Sequence, residues 1–249
     1  LYSFIIPLKG TLSLLDTIIL ISLFLFYILR AVKGEVEEPH LIGPCALIGS
    51  CPPAQRRILN ILLFLYAGFL IFISAEPFAT GLLETGKLFG IDEFILVQWI
   101  APLASEAPEL IVAVLFTFHR KPLSGLSTLL SSKINQWTLL VGCIPLVFSI
   151  SSWSISPLPL DARQVEEILL TSAQSLFGLV LLLDFNFRLQ EAFWLFFLFA
   201  IQLVFPDPVV RYIFSFLYIF LALILLITGK RKRKRLAYLL KTLTNTTFG

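Results

Sequence analysis

The sequence predicts an all-helical, polytopic membrane protein of about seven transmembrane helices, and three observations carry that prediction. Hydrophobic residues make up 57% of the chain and charged residues 14%, with a mean hydropathy of +0.90. A soluble domain carries about 25% charged residues and fewer apolar ones. Apolar runs recur at about the 20 residues a helix needs to cross roughly 30 Å of hydrocarbon. The basic residues, finally, gather on alternate connections between those runs.

The first span is expected at 11–32, opening on Thr11-Leu12-Ser13-Leu14-Leu15-Asp16-Thr17. An irregular connection follows over 33–57, with Gly34, Pro39, Gly43, Pro44, Pro52 and Pro53 and the glutamates Glu35, Glu37 and Glu38. Cys45 and Cys51 lie in it as free thiols, since a cytoplasmic loop disfavours disulfides, and His40 is too little to complete a metal site with them. The second span, 58–83, buries Glu76-Pro77. The third, 94–118, carries Pro102 and Pro108, six residues apart, which favour a broken or kinked helix. The fourth is expected at 124–150 with Ser131-Ser132-Lys133-Ile134-Asn135-Gln136 inside it. The fifth, 165–183, opens on Glu166 and Glu167, where acids meet the positive end of the helix. Its Gln174 and Ser175 read as helix–helix hydrogen bonds. Pro206-Asp207-Pro208 separates the sixth span, 189–205, from the seventh, 210–228, and a basic tail closes the chain over 230–249.

With the C-terminus on the cytoplasmic side, the cytoplasmic segments hold Arg30, Lys33, Arg56, Arg57, Arg120, Lys121, Arg188, the run Lys230–Arg235 and Lys241. The opposite side keeps Lys9, Lys87, Arg163 and Arg211, and Lys133 falls within a span. That 14-to-4 split supports both the seven-helix count and its direction under the positive-inside rule. The basic tail is expected to hold anionic membrane lipid, and no nucleic-acid partner is expected. No methionine occurs in the chain, so Leu1 is expected to lie inside a longer reading frame.

The residues that invite chemistry are Ala104-Ser105-Glu106-Ala107-Pro108-Glu109 in the third span. Ionisable groups at membrane depth mark cation or proton paths. Pro108 cannot donate to the Ala104 carbonyl, nor Pro102 to that of Gln98, so oxygen acceptors stand free beside the carboxylates, as a hard cation requires. Glu106 and Glu109, three apart, share a helix face with Ser105 and Ala113 nearby. On the fourth span Lys133, Gln136 and Trp137 share a face with Ser132 beside it. A lysine about ten residues into a span needs a carboxylate partner, and Glu106 or Glu109 is expected to supply it. Glu76, beside Pro77, is a further point on a proton path. His40 and His119 both lie in loops and no nucleophile–base pair is visible, so neither an enzyme nor a cofactor is expected. The opening of the first span and Asn186-Phe187-Arg188-Leu189-Gln190-Glu191-Ala192 at the sixth form a faint repeat. The two helices would enter the membrane in opposite senses, as inverted repeats do.

At these residues the chain resembles the cation/calcium exchanger superfamily, whose members pair two inverted repeats, each carrying Gly-Thr-Ser-x-Pro-Glu followed on the next helix by Gly-Ser-Asn/Asp-x-x-Asn. Leu83-Glu84-Thr85-Gly86-Lys87-Leu88-Phe89-Gly90-Ile91-Asp92-Glu93-Phe94 looks like the approach to the first motif, Ala104–Glu109 matches it in register, and Ser131–Gln136 falls where the second belongs. The resemblance covers residues 58–205 as one five-helix repeat, half of an inverted-repeat exchanger fold. Residues 1–32 look like the last helix of a preceding repeat, 33–57 a cytoplasmic linker, 206–229 an extra span. It implies a secondary-active antiporter of sodium, calcium or protons, with Glu109 the principal cation carboxylate and Ser105 a ligand. Glu106 stands for the motif serine, Lys133 for its asparagine or aspartate, and Gln136 for the final asparagine. These departures turn the expectation from calcium toward monovalent cation/proton exchange. The only metal implied is the transported cation at Glu109 and Glu106. One motif copy is half a site, so a partner repeat is expected in cis or in trans. The alternative expectation is a non-transporting membrane scaffold whose site is locked by a salt bridge.

Overall fold

The computed structural model describes residues 1–33, 43–91, 96, 101–184, 186–205 and 207–246, with side chains except at 101–104, 203–204, 240 and 242–246. The expectations for Glu35, Glu37, Glu38, His40, Asp92, Glu93 and the Gln98 carbonyl lie outside the described residues. Among those described, the chain is a succession of helices: α1 Ile5–Lys9, α2 Leu14–Val32, α3 Pro44–Ser50, α4 Pro53–Phe89, α5 Ala101–Phe118, α6 Pro122–Asn135, α7 Val141–Ser151, α8 Ala162–Leu182, α9 Leu189–Val204, α10 Pro208–Thr228 and α11 Lys230–Thr246. A two-residue antiparallel ladder joins β1, Thr11–Leu12, to β2, Leu158–Pro159.

Among the described residues, five stretches are long and apolar enough to cross a membrane: Leu14–Val32, Pro53–Phe89, Pro122–Ser151, Ala162–Leu182 and Pro208–Thr228. The other two expected spans appear as α5 and the shorter apolar α9. Several boundaries move. The second span is one helix of 37 residues, about 55 Å at 1.5 Å per residue, so it outruns the hydrocarbon at 58–83. Pro77 sits inside it without ending it. The expected irregular linker contains α3 and the first turn of α4. The third segment stays helical through Pro108, so no break occurs there. Pro122–Ser151 is continuous but widens into a π-helical turn at Gln136–Leu140.

The chain forms two compact units. The first comprises Leu1–Leu25 with Gln136–Gly249, the second Phe26–Asn135. The first unit is built on α8 and α10. Their contacts pair Glu166 with Arg211 and Phe177 with Tyr218, so later residues meet later residues and the helices run parallel. Leu170, Ala173, Phe177, Val180 and Leu181 of α8 bury against Tyr218 and Ala222 of α10, with Leu198 of α9 and Leu236 of α11 packed on the outside. Asp161 caps α8 by accepting from Gln164 N at 2.7 Å while Gln164 Oε1 accepts from Asp161 N at 3.0 Å. Asp207 caps α10 through Val209 N at 2.8 Å, with Pro208 in the first turn. The sixth and seventh spans are thus separate helices, as Pro206-Asp207-Pro208 led us to expect.

The entry of α2 is tied down as firmly. Ile6, Leu12 and Leu20 bury together beside Leu158, Leu160 and Ile168. Asp16, fully buried, accepts from Tyr2 Oη, Lys9 Nζ, and Ser13 N and Oγ. The entry of α9 repeats the arrangement. Glu191 Oε2 accepts from Arg188 N at 2.9 Å, as Asp16 Oδ2 accepts from Ser13 N at 2.7 Å, and each carboxylate also meets a lysine, Lys232 and Lys9. The two members of the faint sequence repeat therefore share a local structure.

In the second unit α5 and α6 form a hairpin. Arg120 turns the chain at a positive φ of 59°. Arg120 N donates to Thr117 O at 3.0 Å and Lys121 N to Phe116 O at 2.8 Å, which closes the end of α5. Almost no side chain of α4 is buried within the chain.

Candidate functional site

The α5–α6 hairpin carries the expected site, and a glycine sets how closely its arms approach. A Cβ at Gly125 would stand 2.7 Å from the Ala113 carbonyl oxygen and 3.3 Å from Thr117 Oγ1, so only hydrogen lets α6 lie this near α5. From that crossing the arms run antiparallel. Seven residues back along α5 is Glu106, and eight residues on along α6 is Lys133, rises of about 10 and 12 Å. Of the two acids expected as partners for the lysine, Glu106 is the one that acts electrostatically on Lys133.

Glu109, one turn further along α5, is half-buried, and its Oε2 is inaccessible without a hydrogen-bond partner among the described residues. A shielded carboxylate oxygen is costly to leave unsatisfied, and a proton or a bound cation would satisfy it. Ser105 and Glu106 themselves are exposed on this chain's surface. Ser132 is half-buried on α6, and its neighbour Ser131 shares a 2.6 Å hydroxyl contact with Tyr27 of α2. Gln136 is half-buried and opens the π turn, in the first unit. Glu76 is exposed on α4, away from any described bond. The second unit thus carries Glu106 and Glu109 on one arm of the hairpin and Ser132 and Lys133 on the other.

Three features escaped the sequence reading. The π turn immediately follows the second motif; single π turns recur at functional sites, but no residue pattern announces one. Tyr27 belongs to a span read only as apolar. The third is a buried ion cluster in the first unit. Arg211, assigned by charge to an outer loop, is 3% exposed, with Nη1 3.2 Å from Glu166 Oε1 and also paired to Glu167. Glu166, read as a helix-end acid, is equally buried. The signal lay in Arg211 opening an apolar run, where an unpaired cation is untenable.

One further expectation is corrected here. Ser175 does not bridge helices: its hydroxyl donates to Thr171 O of its own helix at 2.6 Å. The basic tail, expected to hold anionic membrane lipid, also packs into the first unit. Lys232 is 6% exposed and donates to Leu181 O at 2.6 Å and Asp184 Oδ1 at 3.2 Å, with Glu191 Oε1 at 3.5 Å. Burial works to raise the Asp184 carboxyl, but the hydrogen bond and charge of Lys232 outweigh it and hold that carboxyl below its ordinary value.

Residues 59–206 match the sodium/calcium exchanger protein family. A crystal structure of an H+/Ca2+ exchanger CAX is similar over 98% of this chain and 61% of that one, with 48% identity and a TM-score of 0.91. The chain therefore spans about three fifths of the length of that exchanger chain. No curated protein matches it.

Proposed function

The chain belongs to the sodium/calcium exchanger family of the cation/calcium exchanger superfamily, and from that premise we propose that it carries one half-site of a secondary-active cation/proton antiporter working by alternating access. Glu109 is the principal carboxylate for the exchanged ions. The observation that carries this reading is its sequestered Oε2 without a hydrogen-bond partner among the described residues. One oxygen so placed takes either a proton or a cation, and that competition is what couples opposite fluxes.

Glu106 and Lys133 set the charge around it. With both ionised they cancel, leaving Glu109 as one net negative charge. That suits one proton or one monovalent cation, and a divalent ion would need a second carboxylate from a companion repeat, in cis or in trans. The similar exchanger is titled for protons and calcium, so calcium joins sodium and potassium among the cations to be tried. Ser105 contributes a hydroxyl or carbonyl ligand, Ser132 and Gln136 line the approach from the second motif, and Glu76 hands protons along α4.

The test is proton movement in acid-loaded vesicles bearing the chain, alone and with a companion exchanger repeat, on addition of sodium, potassium or calcium. A cation-triggered pH change that Glu109→Gln removes, while the variant still inserts, is the expected result. Undiminished exchange in that variant would overturn the site. The proximity of Glu106 and Lys133 also favours a second reading, a non-transporting scaffold with a salt-bridged site. In that case Lys133→Asn lowers stability and no arm of the experiment moves protons.

A further inference from the structure

Helix α6 is gripped from two sides. On one, Gly125 lies so near α5 that a Cβ there would stand 2.7 Å from the Ala113 carbonyl oxygen. Lys133 is eight residues further on. That places it about 80° around the helix from Gly125, on the side that faces α5. Ser131 is about 160° from Lys133 and faces away from α5. There its hydroxyl meets Tyr27 Oη of α2 at 2.6 Å.

Elsewhere in the second unit Thr85, Thr117 and Thr128 each donate to the carbonyl four residues back in their own helix. That bond is open to any helical serine, yet the described partner of Ser131 is on another helix. Tyr27 continues the inward stripe of α2. Leu20, Phe24 and Tyr27, at i, i+4 and i+7, are buried or half-buried, while Leu23, Leu25, Phe26 and Ile28 are exposed. Tyr27 also lies outside the residues 59–206 that match the exchanger family, so the second motif is held from a helix beyond that match.

We infer that Tyr27 is a positioning residue for the ion site, its hydroxyl fixing the rotation of α6 about its own axis. It thereby keeps Lys133 on the α5 side, within electrostatic reach of Glu106. The inference rests on the reading of Glu109, Glu106 and Lys133 as that site. Without the hydroxyl contact the Gly125 crossing still holds one end of α6, but the end that carries Ser132 and Lys133 is free to turn. The site is then assembled in only a fraction of molecules, and the apparent cation affinity falls with that fraction.

The intact chain carrying Tyr27→Phe loses one oxygen and keeps the ring. In acid-loaded vesicles its half-saturating cation concentration is expected to rise about three- to tenfold, the range for a hydrogen bond between membrane helices. The maximal rate per inserted protein is expected to stay within about twofold of the parent, as when binding alone is weakened. Ser131→Ala should give the same rise, and the double variant no more than either alone. Ser131→Thr, which keeps a hydroxyl, should hold the parent value. A merely structural bond would lower the inserted amount and leave the half-saturating concentration unchanged, and that result would overturn the proposal, as would additive effects in the double variant.

A second readout needs no exchange. In a chain with Cys45→Ser, Cys51→Ser and Cys143→Ser, spin labels at Leu110→Cys on α5 and Leu129→Cys on α6, both exposed positions, report the spacing of the two arms. Tyr27→Phe should broaden the distribution of distances, and Ser131→Thr should leave it as in the parent. A parent that exchanges no cation would remove the ion-site reading, and the spectra would still decide whether Tyr27 positions α6. An unchanged distribution in Tyr27→Phe would show that it does not.

Discussion

Arg211 is the residue on which the first unit most depends for charge balance. Its guanidinium is 3% exposed and so is the Glu166 carboxylate it meets at 3.2 Å. Replacing it by glutamine leaves that acid buried without a cation, which costs about 3–5 kcal/mol when one member of a buried pair is removed. Arg211→Gln should therefore lower the melting temperature sharply in detergent, and adding Glu166→Gln should restore much of the loss. Additive losses in the double variant would mean the two do not act as a pair. That Lys133 needs an acid was readable from the sequence, because a lysine at membrane depth demands one, but the motif offered both Glu106 and Glu109. The pairing of Glu166 with Arg211 was not readable. They are 45 residues apart, and the parallel course of α8 and α10 that joins them leaves no mark in either segment. The unsatisfied Oε2 of Glu109 was likewise invisible, since burial of a single oxygen follows from packing around it. Its neighbour Pro108, by contrast, showed where the motif lay.

At the scale of elements, apolar runs located the spans, but the caps Asp161 and Asp207 start α8 and α10 two or three residues before the expected positions, and α11 carried a weak signal. The run Lys230–Arg235 reads from sequence as a tail attracted to lipid; it lies in the helix α11, where Lys232 pairs with Asp184 and Glu191. That pairing gives a pH prediction. The Asp184 carboxyl is held below its ordinary value, so its contribution is complete above about pH 3.9 and disappears as pH falls through the lower folded-state value. Amide exchange along the first turns of α11 should accelerate on acidification in that range, after correction for intrinsic rates. Asp184→Asn should flatten the dependence, and an unchanged profile in that variant would remove Asp184 from the account. The α5–α6 hairpin makes a second prediction at this scale. Gly125→Ala sets a methyl carbon 2.7 Å from a backbone oxygen that cannot rotate away, and such overpacking costs about 1–3 kcal/mol. Because Ala113 lies one turn from Glu109, the arms should separate where the ion site is proposed. Exchange should then fall together with stability, whereas an intact melting temperature would show that the hairpin has room to spare.

For the whole molecule, the span count, the family resemblance and the membrane orientation came from different properties of one sequence. The family model matches residues 59–206, the part of the chain on which the resemblance was read. The expected orientation rests on the distribution of Lys and Arg alone, 14 to 4 in favour of the side taken as cytoplasmic, a bias of the kind that directs insertion. It is open to a direct test with the protein's own thiols. Cys45 is free and exposed on α3, within the connection assigned to the cytoplasm, while Trp153 and its neighbours end α7 on the opposite side with Trp153 fully accessible. A chain carrying Cys51→Ser and Cys143→Ser, leaving Cys45 alone, should react with a membrane-impermeant maleimide in inside-out vesicles and resist it in right-side-out ones. Adding Cys45→Ser and Ser154→Cys should reverse that pattern. Both sites reacting from one side would require an even number of crossings between them instead of three. That outcome would break the opposed orientation of α2 and α9 on which the inverted-repeat reading depends, even though their entry carboxylates, Asp16 and Glu191, are bonded alike.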